Sequence, residues 1–424
     1  MATLAQALRR IKGDLGRHVP ESLIRNLLAD RRRPTRRRTL TPAVTTYLFL
    51  RQVLHGNTAV ADLRRLSGLT FAPSAYCQAR ARLPVEFFRR LQRAVIGRLR
   101  VAAGGRRWRG HRTFLLDGSS FSMPDVAELQ DCFGQPSGQA AGCGFPVARL
   151  MALFEASTGY LLSAVPAPLY THDLARATAV HPQLRPGDLL VGDRAFGSFA
   201  HLALLVRRGA HGLFRAHQRR LSAGRRSGPA DRRVVYRKPQ MRPSWLTAVE
   251  FAALPDELTV REVRFRVGVP GRRVRWVTLV TTLTDAGRYP AAALARLYER
   301  RWQIETDLRH LKQTLGLDVL RCRTVPGVVK ELSVFVTVYN LVRRVMVDAA
   351  GRQRGPPRRV SFVDALRWLR QARPGEPLPR LVVNPDRPDR VEPRVRKRRP
   401  KQFPVMKRPR RVLREEILRQ NLAA

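Results

Sequence analysis

Apolar and polar residues follow two different patterns along the 424 residues of this chain. Up to about residue 105 the apolar positions recur at helical spacing, with breaks at Gly56-Asn57 and from Gly68 to Pro73. From residue 113 onward, short apolar runs bounded by Gly and Pro predict strands that alternate with helices. The pattern therefore indicates a helical first segment followed by an α/β core.

The order of elements in this core limits its topology. We predict strands at Phe114–Phe121, Val147–Glu155 and Tyr160–Pro168, a helix at Asp173–His181, a strand at Asp188–Gly192, a helix at Ser198–Arg208 and a strand at Gly212–Ala216. This order is that of the ribonuclease H-like fold, in which acidic residues on neighbouring strands converge on metal ions. We therefore expect an α/β protein with a mixed five-stranded sheet and helices.

The remainder of the chain predicts an interruption of this core and then its completion. Period-two alternation from Val263 to Val269, followed by a turn at Pro270-Gly271, predicts a β-rich insertion. A continuous helix from Pro290 to about Leu315 and a second from Val328 to Ala349 should then close the core. A short helix is expected at Phe362–Gln371.

The charge balance indicates a polyanionic partner. Lys and Arg number 80 against 32 Asp and Glu, for a formal net charge of +48, with basic runs at Arg31–Arg38 and Arg394–Arg411. Phosphate backbones and anionic membranes both attract such charge. The longest apolar stretch, Leu332–Val342, is too short to span a bilayer and is predicted to be a core helix. Nucleic acid is therefore favoured over a membrane as the partner.

Two further features exclude other classes of protein. The stretch from Met1 to Arg10 lacks the features of a secretory signal, which predicts a cytoplasmic protein. The four cysteines contain no C-x2-C pair, so neither a zinc site nor a disulfide framework is expected. We expect free and mostly buried thiols.

These observations divide the chain into five predicted segments. They are a helical N-terminal DNA-binding domain at 1–105, core parts at 106–216 and 286–350, a β-rich insertion at 217–285 and a basic C-terminal region at 351–424. Within the first segment, Thr58–Ser67 and Ser74–Leu83 have the layout of a helix-turn-helix. The alternative is a plain helical bundle whose charges are solvated and touch phosphates without sequence specificity.

Two acidic residues stand where the predicted strands end. Asp117 follows Leu116, and Asp193 follows Gly192. A carboxylate beside a buried strand is costly unless it is paired or bound to a metal. A single acid of this kind usually forms a cap or a salt bridge, but two of them in this order of elements favour a metal site. Gly118 and Gly192 are expected to leave space for a ligand or another backbone to approach.

A third group of residues lies in the predicted helix that follows the insertion. At about 100° per residue, Arg301, Glu305 and Lys312 lie within about 60° of Tyr298 on one face. On the same ideal helix, Asp307 points away from Glu305. Each residue alone is compatible with an amphipathic surface helix and incidental salt bridges, but the row as a unit is specific.

The pattern Tyr-x2-Arg-x3-Glu-x6-Lys resembles the signature of the bacterial insertion-sequence-four family of DDE transposases. Tyr298, Arg301, Glu305 and Lys312 match that signature position by position. The sequence around Leu116-Asp117-Gly118 is similar to the family's first-aspartate block, and Gly192 to Gly197 to its second. The resemblance covers roughly residues 40–411.

This resemblance implies a DNA transposase. Two Mg²⁺ ions, replaceable by Mn²⁺, are expected on the hard carboxylate oxygens of Asp117, Asp193 and Glu305, with Asp117 as the bridging ligand. The resemblance further implies a cut-and-paste reaction through a DNA hairpin, with double-stranded DNA as substrate in both the terminal inverted repeats and the target. A homodimer on paired ends is expected.

Residues that grip DNA phosphates are expected beside the carboxylates. They are Tyr298, Arg301, Lys312 and Arg194. Members of the family also place an aromatic side chain near a flipped base, and Trp245, Trp276 and Trp302 all compete for that role. Two alternatives stay open, namely a metal-dependent nuclease of the same fold and a decayed, basic nucleic-acid-binding protein without activity.

Overall fold

A computed structural model describes residues 13–29, 39–138, 140–216, 230–267, 275–385 and 408–423. Three predictions fall on other parts of the chain. The Arg31–Arg38 run, most of the Arg394–Arg411 run and the Pro270-Gly271 turn lie outside the described residues.

The described residues form a mixed eight-stranded sheet. Its strands are β1 (Thr113–Ser122), β2 (Val147–Glu155), β3 (Leu161–Pro168), β4 (Leu189–Gly192), β5 (His211–Arg215), β6 (Asp231–Arg237), β7 (Glu257–Val267) and β8 (Arg275–Thr281). Their order is β3-β2-β1-β4-β5-β8-β7-β6. Strands β1, β4 and β5 run parallel, and every other neighbouring pair is antiparallel. All five predicted core strands are confirmed within one or two residues.

The expected β-rich insertion is not a separate sheet. Strand β8 pairs with β5 through Leu213↔Thr281, and β7 and β6 follow outward. The prediction of a five-stranded sheet was therefore wrong, because three further strands extend the sheet to eight. Pairing with β8 satisfies the backbone groups of β5, which would otherwise form an exposed edge.

Helices precede, cover and follow the sheet. They are α1 (Leu15–His18), α2 (Glu21–Asn26), α3 (Pro42–Leu54), α4 (Val60–Ser67), α5 (Pro73–Arg82), α6 (Val85–Ala103), α7 (Ala127–Phe133), α8 (Asp173–Val180), α9 (Phe199–Arg207), α10 (Ala248–Ala252), α11 (Ala291–Glu299), α12 (Gln303–Arg309), α13 (Val325–Arg352), α14 (Phe362–Gln371) and α15 (Arg410–Ala423). The predicted helices that became α8, α9 and α14 are confirmed.

The long helix α13 lies at the centre of the molecule. It is 28 residues long, and 78% of its most apolar 18-residue window is buried. It is long and apolar enough to cross a membrane by length and composition, so the argument that the stretch is too short was wrong. Burial against protein on almost every side is what identifies it as a core helix, as expected.

The helices before the sheet pack against α13. The Asn57 side chain donates a 2.7 Å hydrogen bond to Glu331, which also accepts from the backbone of Cys322. Lys330 donates to the carbonyl oxygens of Arg80 and Ala81. One apolar core therefore joins these helices to the sheet. Helices α4 and α5 occupy the two positions predicted for a helix-turn-helix pair, and their role in DNA binding stays a prediction.

The helix predicted from Pro290 to Leu315 is interrupted twice. A 3₁₀ turn at Arg300–Trp302 separates α11 from α12, and a π-helical turn at His310–Thr314 follows α12. Leu311 and Leu315 remain fully buried across the second break. The apolar period correctly located the buried face, but it does not report such local changes of hydrogen bonding.

The free thiols are divided between surface and interior. Cys143 and Cys322 are buried, whereas Cys77 and Cys132 are exposed. The four cysteines are unpaired, as expected, but the expectation that they are mostly buried was wrong.

A buried arginine joins three of these elements. Arg343 on α13 donates from Nε and Nη2 to the Thr158 carbonyl oxygen at 3.2 and 2.8 Å, in the turn between β2 and β3. Its Nη1 lies 3.2 Å from Asp307 Oδ1 on α12. The guanidinium occupies the space beside Gly159, where an added Cβ would lie 1.7 Å from Nη2. The turn therefore requires glycine for this close approach as well as for its φ of +74°.

We expect Gly159→Ala to lower the free energy of unfolding by roughly 3–5 kcal/mol, because it displaces a buried charged group from its partners. Gly187→Ala is the matched control, since Gly187 has a φ of +82° but nothing within 4 Å of its added Cβ. That control should cost about 1–2 kcal/mol from backbone strain alone. Urea denaturation measures both, and equal losses would contradict the role given to Arg343.

Candidate active site

The two aspartates lie side by side where the pairing of the parallel strands β1 and β4 ends. The register of β1 with β4 pairs Leu116 with Gly192, so Asp117 and Asp193 are the next residues across. Neighbouring strands lie about 4.8 Å apart. Asp117 is thus inside β1, and Asp193 directly follows β4.

Each aspartate is oriented by a local backbone hydrogen bond. Asp117 Oδ1 accepts from the N–H of Gly118 at 2.8 Å. Asp193 Oδ1 accepts from the N–H of Ala195 at 2.6 Å and so caps the 3₁₀ turn that contains Arg194. These bonds hold both carboxylates at the strand ends, with Arg194 exposed beside them.

Glu305 approaches the aspartates from α12 and is linked to Arg301. The Arg301 Nη2 lies 3.8 Å from Glu305 Oε1. The Glu305 side chain is 46% exposed, whereas that of Arg301 is only 11% exposed. Within the described part of the chain, the buried Nε of Arg301 has no hydrogen-bond acceptor. One donor of Arg301 is therefore buried and unsatisfied among the described residues.

The environment of Asp117 shows that the three carboxylates interact. Burial raises the pKa of Asp117 to about 6, while the Gly118 N–H and Arg301 lower it and the charges of Asp193 and Glu305 raise it further. The three acids therefore lie within electrostatic range of one another. They do not close into a tight cluster, because no three His, Cys, Asp or Glu among the described residues are arranged to hold a metal ion.

Tyr298 lies within electrostatic range of Arg301 and Asp193. It also interacts with Arg215, a residue near the site that the sequence did not predict. Burial raises the pKa of Tyr298, Arg301 and Arg215 lower it, and Asp193 raises it. Arg215 ends β5, where Phe214 pairs with Gly192, so Arg215 lies across from Asp193. The sequence did contain a signal for this residue. Arg215 ends an apolar strand that neighbours the strand before Asp193.

Lys312 is placed differently from the ideal helical row. The π-helical turn separates it from α12, and its Nζ lies 3.0 Å from Asp318 Oδ1. The backbone of Asp318 in turn accepts from the Ser122 N–H at the end of β1. Lys312 is therefore held near the carboxyl end of β1, and the prediction of one regular helical row was wrong at this position. Asp307 is turned away from Glu305 toward Arg343, as expected.

The two glycines beside the aspartates have different surroundings. A Cβ added at Gly118 would meet only Asp173 Oδ1, at 3.8 Å. A Cβ added at Gly192 would lie 2.9 Å from the Phe196 ring and 3.3 Å from that of Phe214. The expectation of ligand space therefore holds for Gly118 but was wrong for Gly192, which makes room for the protein's own aromatic rings.

The family of this chain is decided by its sequence match across the site. The profile described as "Transposase DDE domain" matches residues 108–341, which include Asp117, Asp193 and Glu305. This chain belongs to the insertion-sequence-four family of DDE transposases. It is a DNA transposase, and its family generally uses divalent metal ions.

Two relatives from Escherichia coli (strain K12) extend the match beyond the site. The transposase InsG for insertion sequence element IS4 is 27% identical, with 94% of this chain and 95% of the relative covered. The putative transposase InsZ is also 27% identical, over 46% of this chain and 67% of its own length. The piggyBac transposase, solved as a synaptic complex with hairpin DNA, superposes with a TM-score of 0.45 and 10% identity, over 87% of this chain and 80% of the other.

The three tryptophans that compete for a base-stacking role in this transposase differ in exposure. Trp245 packs partly buried against the apolar core. Trp302 is 57% exposed and lies 4.8 Å from the Arg301 guanidinium. Trp276 on β8 is 54% exposed, with the Arg264 guanidinium 4.4 Å from its ring. Trp276 and Trp302 are therefore the accessible candidates.

The raised pKa of Asp117 predicts that its ionisation destabilises the metal-free transposase. Because the folded-state pKa of about 6 lies above the ordinary value of 3.8, the stability contributed by the protonated form is lost as pH rises through 6. With metal chelated, Asp117→Asn should raise the free energy of unfolding at pH 8 by on the order of 1–2 kcal/mol, allowing for solvent screening.

Urea denaturation of the chelated protein from pH 4 to pH 8 measures this effect. The gain from Asp117→Asn should shrink as the pH falls toward 4. Asp256→Asn is the control, since its side chain is 95% exposed, and it should show no such pH dependence. A gain that does not vary with pH would contradict the assignment.

Proposed function

We propose that this transposase excises and inserts an insertion element by cut-and-paste, with Asp117, Asp193 and Glu305 holding two Mg²⁺ ions. The observation that carries the proposal is the pairing of Asp117 with Asp193 across parallel strands, with Glu305 coupled to Asp117 through Arg301. Asp117 interacts electrostatically with both other acids and is therefore proposed to help hold both ions.

The donor chemistry supports a hard divalent cation. All three side chains are carboxylates, which suit Mg²⁺ and allow Mn²⁺ to substitute. Mutual repulsion among them contributes to the raised pKa of Asp117, so a cation would relieve it. When bound, the ions supply activation of the attacking oxygen and neutralisation of the phosphate charge. Glu305 has room to turn inward, because its side chain is nearly half exposed.

Basic and phenolic side chains around the carboxylates are proposed to hold the scissile phosphate. The unpartnered Nε of Arg301 is a buried donor that a phosphate oxygen would satisfy. Arg215 lies across from Asp193 on the side away from β1, and Tyr298 is within electrostatic range of both Arg301 and Arg215. Lys312 and the exposed Arg194 are proposed to contact DNA on either side of the cleavage point.

The strand order supports a ribonuclease H-like core. Strands β3-β2-β1-β4-β5 include the antiparallel and parallel pairs expected of that fold. We propose core parts at 106–216 and 286–350, an insertion at 217–285 that widens the sheet, an N-terminal DNA-binding domain at 1–105 and a basic C-terminal region at 351–424. The proposed N-terminal domain includes α1 to α6 and shares the apolar core of the sheet.

The reaction requires two DNA ends to be handled together. We propose that a homodimer holds paired terminal inverted repeats, frees a 3′-hydroxyl at each end, passes through a hairpin and joins the ends to target DNA. The proposed setting is the bacterial cytoplasm, on nucleoid DNA. The reaction involves phosphodiester bonds alone and requires no nucleotide cofactor.

Glu305→Gln should reduce DNA cleavage at least about a thousandfold while leaving binding to the element ends within about twofold. The reason is that a metal ligand is lost while the arginine and lysine contacts to phosphate remain. Glu299→Gln is the matched control, because Glu299 is an exposed acid at the end of α11 in the same region. It should cleave at the wild-type rate.

Single-turnover cleavage of labelled ends and a strand-transfer assay with precut ends measure the two steps separately. Normal cutting by Glu305→Gln would overturn the metal-ligand assignment. Cleavage by the wild-type protein without any joining of precut ends would instead identify a nuclease.

Arg215→Gln should slow cleavage about 10- to 100-fold at saturating DNA, since a charge-assisted hydrogen bond to phosphate contributes about 1.5–3 kcal/mol. Arg215→Lys should recover part of the rate, because it keeps the charge but not the planar pair of donors. A wild-type rate for Arg215→Gln would show that this residue serves only the packing around Tyr298.

A further inference from the structure

A basic cavity lies on the other side of α12 from the carboxylates. We call it the arginine groove. It has a volume of about 1220 Å³. It is lined by Gly104–Trp108 after α6, Thr113 at the start of β1, Glu155–Gly159 from the end of β2, the Gln303 side of α12, Gly351 near the end of α13 and Arg354–Arg359 after that helix. None of the three proposed metal ligands lines it.

Helix α12 forms the wall between the two sites. Gln303 and Thr306 face the arginine groove, whereas Glu305 is about 160° and 100° away from them around an ideal helix. Asp307 on the same helix is bound to Arg343 in the floor of the groove. A ligand in the groove therefore contacts the reverse side of the helix that carries Glu305.

The groove has a large excess of positive charge. Its arginines include Arg106, Arg300, Arg354 and Arg358, and each of these four lacks an acidic partner among the described residues. The acids that line the groove are already neutralised, since Glu155 lies 3.1 Å from Arg100 and Asp307 lies 3.2 Å from Arg343. These four guanidinium groups around one cavity attract a ligand with several negative charges more strongly than they attract a monovalent anion.

The backbone at the end of α13 places one of these arginines at a conformational cost. Arg354 has a φ of +54°, and the next residue, Gly355, donates to the Ala350 carbonyl oxygen at 3.0 Å. Helix ends of this kind favour glycine at the left-handed position. An arginine there is strained, and such strain is common where a side chain has a binding role.

Two residues that line the groove each have a buried polar atom without a hydrogen-bond partner among the described residues. Thr113 Oγ1 and His310 Nδ1 are buried and have no hydrogen-bond partner among the described residues. Thr113 is only 6% exposed. Burial, with the nearby charges of Arg343 and Arg309, lowers the pKa of His310 to about 4, so its ring is neutral near pH 7. A bound ligand with hydrogen-bonding oxygens would satisfy both atoms.

We propose that the arginine groove binds the sugar–phosphate backbone of DNA away from the scissile bond. The proposal rests on the proposed function, since it takes Asp117, Asp193 and Glu305 as the place of cleavage. Repeated phosphates match the spread of unpaired arginines from α6 to the segment after α13. Binding there would position a part of the DNA that the carboxylates never touch, and would support α12 from behind.

The test uses the full-length Arg106→Gln/Arg354→Gln variant and a duplex of about 40 base pairs. The dissociation constant is measured across a range of KCl concentrations. Two lost phosphate contacts should reduce the slope of log K against log[salt] by about 1.8. Affinity at low salt should fall at least about tenfold. The matched control is Arg207→Gln/Arg208→Gln, which removes two exposed arginines at the end of α9, outside the groove, and should leave the slope unchanged.

A second pair, Arg300→Gln/Arg358→Gln, repeats the test in case the first variant folds poorly, as judged by its melting temperature. An unchanged slope in both groove variants would overturn the proposal, as would an equal loss in the α9 control. Failure of the proposed function is separate, because it would appear as normal cleavage by Glu305→Gln.

Discussion

The buried contact of Arg343 with Asp307 and the Thr158 carbonyl oxygen joins the parts of this transposase that its site requires. Arg343 lies on the core helix α13, Thr158 in the β2–β3 turn, and Asp307 two residues beyond Glu305 on α12. A buried charge of this kind is stable only with its partners in place, so displacing one of them displaces the others. The position of Glu305 relative to the sheet therefore depends on an interaction outside the active site.

Neighbouring residues of α13 strengthen the same connection. The Asn340 side chain accepts from the Leu161 N–H and donates to its carbonyl oxygen, each at 2.8 Å, and so extends the hydrogen bonding of β3. The contact of Asp307 with Arg343 anchors α12. The helix presents Glu305 on one side and lines the arginine groove on the other. One short helix thus separates the three carboxylates from the unpaired arginines of the groove.

The carboxylates and the groove arginines, on the two sides of α12, have different electrostatic consequences. At the carboxylates, burial and mutual repulsion raise the pKa of Asp117, so the arrangement costs stability that a cation would return. In the groove, unpaired arginines remain close together without acids among the described residues to neutralise them. The raised pKa of Asp117 and the unpaired arginines of the groove each reflect charge that a bound ligand of opposite sign would compensate.

The sequence by itself determined the elements and the family. Apolar runs located the core strands, and the spacing of Tyr298, Arg301, Glu305 and Lys312 identified a DDE transposase. Tertiary structure decided what local patterns cannot carry. The pairing of β8 with β5 widened the sheet, the turns around α12 moved Lys312 toward Asp318, and strand register brought Arg215 beside Asp193. The two strand pairings depend on contacts between segments far apart in the chain, and the π-helical turn is a local change of hydrogen bonding that the apolar period does not record.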